Sequence, residues 1–186
     1  KPCDEIQSLC NEKLSLKNVD LGDGLLNLNS LNRLCKLTLD KITMSKDRME
    51  VLCNSLFECK ALRTLSLKNV DLGNAIPSLN NLESLFELTI DNVTMCKDGY
   101  VMVCNSISMC PMLQYLSLIN LDLGDAIPSL DKLKKLEMVN ITISLQCIDC
   151  IKSSIQQNQK LHLYFADTKE LVIEKAADSC EKCVVN

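Results

Sequence analysis

Tryptophan is absent from this 186-residue chain, and aromatic residues make up only 3% of it. A core built without large rings is aliphatic, which suits thin stacked layers that are each filled by their neighbours. There is one histidine, so no pair of imidazoles can bind a metal. Glycine numbers five, and neither GxxxxGK[ST] nor GxGxxG occurs, which removes the phosphate-cradling loops. No apolar stretch is long enough to cross a membrane, and no charged-then-apolar leader opens the chain. A positive charge balance is missing too. The formal net charge is −4, which argues against a nucleic-acid backbone partner. The basic group Lys132, Lys134 and Lys135 reads as a solvated turn. These absences leave enzymatic chemistry without support.

What is abundant is cysteine, at twelve. Several cysteines recur in step: Cys53 and Cys59 return as Cys104 and Cys110. Cysteine at helix-face positions behaves as a small buried hydrophobe. Disulfide frameworks belong to small secreted folds with poor cores, so reduced thiols and a cytoplasmic location are expected. Cys147-x-x-Cys150 and Cys180-x-x-Cys183 have zinc-like internal spacing, but 29 residues separate the two pairs, longer than usual knuckle spacings. No metal and no cofactor are expected. Asn92-Val-Thr94 and Asn140-Ile-Thr142 are glycosylation sequons that recur because the chain repeats. They bear on function only in a secreted protein.

The repeat is strict. Leu-Ser-Leu-Lys-Asn-Val-Asp-Leu-Gly occurs at 14–22 and again at 65–73, and Leu-Ser-Leu-Ile-Asn-Leu-Asp-Leu-Gly at 116–124. Such periodicity predicts an array rather than a mosaic of unrelated elements. Strand-like alternation begins near residues 14, 37, 65, 88, 116, 136 and 161, so about seven units are expected. Shorter and longer units alternate. The longer ones carry an amphipathic stripe: Met49, Leu52, Cys53 and Leu56, then Tyr100, Val103, Cys104 and Ile107, then Ile148, Ile151 and Ile155. Ser45 is a candidate N-cap for the first stripe. The shorter units hold Ala-Ile-Pro-Ser at 75–78 and 126–129, which leaves room for a short turn or one helical turn. Residues 166–186 leave the frame. Leu171, Ile173, Ala176, Ala177 and Cys180 share one face of a helix there, as expected of a cap on an open solenoid end. Ile6-Gln-Ser resembles Ile155-Gln-Gln just before a strand, and the chain opens on Lys1. An upstream domain in the intact protein is expected.

Leu62-x-x-Leu65-x-Leu67-x-x-Val70-x-Leu72 resembles the leucine-rich repeat frame, and Cys110-Pro-x-Leu113-x-x-Leu116-x-Leu118 its cysteine-containing, ribonuclease-inhibitor-like subclass. That subclass includes the C-terminal repeats of NLR-type cytosolic receptors and of F-box proteins. The short units' Ile-Pro-Ser-Leu is similar to the plant-type repeat instead. The resemblance covers roughly residues 6–165. It implies an α/β solenoid of residues 1–186 as a single domain, with a curved parallel sheet on the concave face and helical and irregular segments alternating on the convex side. One position departs. Where the frame has Asn or Cys, this chain has Val19, Ile42, Val70, Val93, Leu121 and Ile141, so the loop backbone must be satisfied in another way.

In that frame the residues between the core leucines face outward. One row reads Lys17, Asp40, Lys68, Asp91, Ile119, Val139, Tyr164. Its first four members alternate in sign on strands about 4.8 Å apart. They form either a self-satisfied polar ladder or a charge-complementary docking stripe. Towards the C-terminal end the face turns apolar: Ile119, Val139, Tyr164 and Phe165, joined by Tyr115. An exposed apolar and aromatic cluster is a candidate for a protein ligand. Its competitors are a terminal segment folded over it, and a register shift of the last strand that buries Tyr164 or Phe165. The function expected is protein recognition, most similar to the sensing or regulatory repeats of a larger cytosolic receptor of innate immunity. A substrate-adaptor array of the F-box kind and a secreted pattern-recognition array are the alternatives.

Overall fold

The computed structural model describes residues 12–23, 28, 31–158, 160–166, 184 and 185. Each layer begins with a strand whose alternate leucines point inward: β1 (Glu12–Gly22), β2 (Leu34–Met44), β3 (Thr64–Lys68), β5 (Glu87–Asp91), β7 (Tyr115–Gly124), β8 (Lys135–Ile143) and β9 (His162–Ala166). Together with β10 (Val184–Val185) they stack in sequence order into one parallel sheet. Two short strands, β4 (Asp71–Gly73) and β6 (Thr94–Met95), form a second parallel pair. The core is a stack of leucines: Leu37, Leu65 and Leu88 are each 0% exposed. A fully buried leucine contributes about 1.5–3 kcal/mol.

The position where the chain departs from the leucine-rich frame has a structural explanation. In six of the layers the chain turns a corner, within the strand in β1, β2, β7 and β8 and just after it in β3 and β5, through a residue in the left-handed region: Asn18, Lys41, Asn69, Asn92, Asn120 and Asn140, with φ between 50° and 54°. Asparagine tolerates this region better than most side chains. The corner carries the polar residue outward and returns the next one, Ile42, Val70, Val93, Leu121 or Ile141, to the core. No inward Asn or Cys is needed, because the neighbouring layer satisfies the turned backbone. The Asn69 N–H donates to the Asp91 carbonyl at 2.8 Å, the Asn92 N–H to Ile119 at 2.9 Å, and the Thr94 N–H to Val70 at 3.0 Å.

Helices α1 (Lys46–Ser55), α2 (Lys97–Met109) and α3 (Leu145–Gln157) follow β2, β6 and β8, so every second layer carries one. Met49, Leu52 and Cys53 of α1 and Val103, Cys104 and Ile107 of α2 are buried along the expected stripe. Ser45 occupies the N-cap position but makes no side-chain cap bond. Its N–H donates to the Gly22 carbonyl instead, at 3.0 Å, which ties the helix start to the preceding layer. The short units are irregular: a turn closed by the Ala75 N–H on the Leu72 carbonyl, repeated by Ala126 on Leu123, leads into buried Leu79 and Leu130.

One expectation about the C-terminal layers changes. Leu163, not Leu161, is in register with Leu136, and Tyr164 pairs with Glu137. The strand is shifted by two residues from the frame inferred from sequence, and both frames keep leucine inside. The expected cap helix with Leu171, Ile173, Ala176, Ala177 and Cys180 lies outside the described residues, as does the stretch around Ile6. Within the proposed cap, Ala166 is the last residue of β9, and Val184–Val185 add an eighth parallel strand against Tyr164 and Phe165.

Candidate protein-binding face

The register of the sheet places the outward side chains in straight rows. One row runs Lys13, Lys36, Thr64, Glu87, Tyr115, Lys135, His162, and a second Ser15, Thr38, Ser66, Thr89, Ser117, Glu137, Tyr164. The third runs Lys17, Asp40, Lys68, Asp91, Ile119, Val139, Ala166.

In that third row the opposite charges face each other but do not pair. Among the described residues no ion pair forms within 4.0 Å. The carboxylates are engaged by the corner asparagines. Asn69 Nδ2 donates to Asp40 Oδ1 at 2.9 Å, and Asn92 Nδ2 to Asn69 Oδ1 at 2.9 Å. The same relay recurs two layers on, where Asn120 Nδ2 donates to Asp91 Oδ1 at 3.1 Å and Asn140 Nδ2 to Asn120 Oδ1 at 2.9 Å. An amide held next to the carboxylate by the backbone costs less side-chain entropy than a lysine drawn in from the same row. Lys17 and Lys68 therefore keep their charges for solvent or a ligand. The relay also commits Asn92 and Asn140, the two sequon asparagines.

Two shallow hollows share this face. The larger, about 270 Å³, is polar and lies among Lys17, Thr38, Asp40, Ser66 and Lys68. The other, about 210 Å³, lies among Lys68, Thr89, Tyr115, Ser117, Ile119 and Glu137. Lys68, Glu87 and Thr89 border both, so the hollows are neighbours on β3 and β5. Tyr115 and Ile119 thus come together. Val139 is half-buried beside Ile119 on the next strand. Tyr164 is half-buried next to Glu137, away from Ile119. Asp91 lies in register between Lys68 and Ile119 but lines neither hollow. The backbone of Phe165 is in register with Met138. On β7 and β8 the polar edge is closed by Ser117 Oγ, which donates to Glu137 Oε2 at 3.0 Å.

Phe86 is a member that inward–outward alternation misses, because it precedes its strand. It sits at the lip of the sheet, where its ring centroid lies 5.0 Å from that of Tyr115 at a 54° tilt. Each ring is 37% exposed. The only cue in the sequence is a large apolar residue two positions ahead of Leu88, where the equivalent residues are Arg63, Gln114 and Lys134.

A second exposed row runs along the outer strands. Asp20, Asp71 and Asp122 accept the N–H of Gly22, Gly73 and Gly124 at 3.0, 3.0 and 3.3 Å. Thr43 and Thr94 donate their hydroxyls to Asp20 and Asp71 at 2.9 and 2.8 Å. The Gly22 N–H and then the Thr43 hydroxyl hold the Asp20 carboxyl below its ordinary range. Six of the eight described cysteines, Cys35, Cys53, Cys59, Cys104, Cys110 and Cys147, are buried. Burial pushes the Cys53 and Cys104 thiols up to about 12 and Cys110 up to about 11, and a thiol so shifted is a poor nucleophile. Cys147 is buried whereas Cys150 is exposed, so the two do not face one site; Cys180 and Cys183 lie outside the described residues. Among the described residues no group of three or more His, Cys, Asp or Glu could hold a metal ion, and no helix is long and apolar enough to cross a membrane.

No protein-family model matches the chain, and no curated protein matches it either. Among solved structures, the chain is similar to the crystal structure of an internalin C2 from Listeria monocytogenes. The match has a TM-score of 0.58 and 19% identity, and covers 97% of this chain and 74% of that one. The fold is leucine-rich-repeat-like. At this identity the likeness shows the fold alone. The helices on alternate layers depart from a regular solenoid.

Proposed function

We propose that the chain is a protein-recognition module whose sheet face binds a protein ligand, and that it has no catalytic role of its own. The observation that carries this reading is the composition of the outward face of the sheet. An aromatic and aliphatic patch, Phe86, Tyr115 and Ile119, adjoins a strip where Lys17 and Lys68 hold unpaired charge. Aromatic anchors beside charges that no internal partner neutralises are what a protein ligand engages. The rigid backbone of a stacked sheet limits the ordering cost on binding.

The finer reading is that of a ligand-sensing or regulatory module in a larger cytosolic receptor, the role served by ribonuclease-inhibitor-like repeats. Buried, strongly desolvated thiols support a reducing compartment, as does the use of the sequon amides in the asparagine relay.

The test places a photo-crosslinking residue at Ile119, and in a second protein at exposed Asp149 on α3. Pull-down of each is then compared with a Tyr115→Asp/Ile119→Asp double variant whose fold is checked by circular dichroism. A partner crosslinked at 119, absent at 149 and lost with the double variant is the expected outcome. A partner captured equally at 149, or retained by the double variant, would move recognition away from the sheet face.

A further inference from the structure

The repeat string on β7 departs from its copies on β1 and on β3 and β4 at only two positions. Ile119 replaces the lysine of Lys17 and Lys68, and Leu121 replaces the valine of Val19 and Val70. Leu121 is buried and continues the core. Ile119 stands in an outward row, where stacking asks for no apolar side chain. In the first row, the position of Lys13 and Thr64 is taken on β7 by Tyr115. In the layers between, Lys36 on β2 gives way to Glu87 on β5, while Thr38 and Asp40 return as Thr89 and Asp91. These changes alter the surface and leave the core alone, so the scaffold does not require them. They grade the face in charge. On the three outward rows, β1 to β3 carry Lys13, Lys17, Lys36 and Lys68 against one carboxylate, Asp40. The strands β5, β7 and β8 carry Glu87, Asp91 and Glu137 against one lysine, Lys135. The basic half stands out in a chain of net charge −4. Its spacing is regular as well. β1, β3 and β7 are every second strand of the sheet, so Lys17, Lys68 and Ile119 follow one another at about 10 Å, twice the interstrand distance. An extended polypeptide advances about 3.3–3.6 Å per residue, so about three residues span each step.

Building on the protein-recognition reading above, we propose that the ligand is an acidic, extended segment of a partner polypeptide that runs across the strands. It carries two carboxylates and one apolar side chain at three-residue intervals. The carboxylates meet Lys17 and Lys68, and the apolar side chain rests on Ile119 beside Tyr115. Lys36 lines the same hollow as Lys17 and Lys68, together with Thr38, Thr64 and Ser66, and adds a third cation between the two carboxylates. Asp40 and Asp91, on the strands between, accept from Asn69 and Asn120 at 2.9 and 3.1 Å. Charges of this kind supply selectivity and orientation, and the apolar contact supplies the anchor. A nucleic-acid backbone is a poorer occupant. Running the same way, its phosphates would pass from the lysines onto Glu87 and Glu137, and binding to phosphates is carried by cations.

The probe is a displayed library of random peptides of about twelve residues, which reach about 40 Å when extended, panned on the whole chain. Enriched peptides should share two acidic residues three apart and an apolar residue three further on, in one chain direction. Synthesised singly, they should bind a Lys17→Glu/Lys68→Glu variant about tenfold more weakly, and bind the wild type more weakly as ionic strength rises. Lysine in place of the two acidic residues should restore binding to that variant and abolish it to the wild type. Peptides without acidic bias, indifference to Lys17→Glu/Lys68→Glu, failure of the charge swap, or no enrichment at all would overturn the proposal. So would displacement of the peptides by a single-stranded oligonucleotide, or self-association of the chain that Lys17→Glu/Lys68→Glu abolishes. Dependence on Tyr115→Asp/Ile119→Asp without dependence on the lysines would sink the acidic ligand and keep recognition on this face. Indifference to both double variants, with no partner crosslinked at position 119, would sink both readings.

Discussion

Leu14–Gly22 and Leu65–Gly73 are the same nine residues in two settings, and they agree in some respects and differ in others. They agree in local geometry. Asn18 and Asn69 turn the corner at φ 54° and 52°, and Gly22 and Gly73 follow at 49° and 55°. Asp20 and Asp71 each accept the glycine N–H at 3.0 Å. They differ in burial and in the asparagine relay, which both depend on a strand outside the nine residues. The difference teaches that the corner is encoded locally, whereas the core is a property of stacked neighbours. Substitutions at matched positions should therefore have unequal effects.

The largest gap is expected between Leu67→Ala and Leu16→Ala. The first removes a leucine that is 3% exposed and should cost about 2–5 kcal/mol. The second acts in a half-open layer and should cost about 1–2 kcal/mol. Denaturant titration of both variants checks this, and equal losses would break the comparison. Next comes Asn69→Ala against Asn18→Ala. Both put alanine in a left-handed corner at about 1–2 kcal/mol. Only Asn69→Ala also breaks bonds to Asp40 and Asn92, so it should cost about 1 kcal/mol more. If thermal melts show no extra loss, the relay contributes nothing to stability.

The smallest effect is that of pH on Asp20. Its carboxyl is held below the ordinary 3.8 by Gly22 and Thr43. A carboxylate with a depressed folded pKa stabilises the fold above its unfolded value, and that contribution is lost as pH falls through the folded value. Carboxyl-detected NMR should place the Asp20 midpoint below 3.8, and Thr43→Val should move it upward. A midpoint that ignores Thr43→Val would remove that hydroxyl from the account.

Much of the fold was legible before the structure, because a period of 51 residues and a Leu-x-Leu alternation declare stacked strands. The helical stripes on α1 and α2 were equally plain. The register of β9 was not. Leu161-His-Leu163 and Leu163-Tyr-Phe165 are both apolar-x-apolar, and a slip of two preserves every inward and outward assignment. Only pairing with β8 separates them. On the candidate face, Tyr115 and Ile119 were placed correctly relative to each other by register alone. Phe86 was missed because it lies outside the alternating stretch. The sign alternation of Lys17, Asp40, Lys68 and Asp91 suggested pairing, but the asparagine one residue further on reaches the carboxylate first.

The sequence by itself determined the layer: which residues turn the corner, which leucines face inward and which stripe of each helix is apolar. These depend on dihedral preference and on side-chain period, which act within a dozen residues. Tertiary structure alone decided how deeply each layer is buried, which side chain takes each carboxylate, and how the last strand registers. Those outcomes depend on competition among groups 20 to 29 residues apart, and only the stacked fold brings such groups within hydrogen-bonding distance.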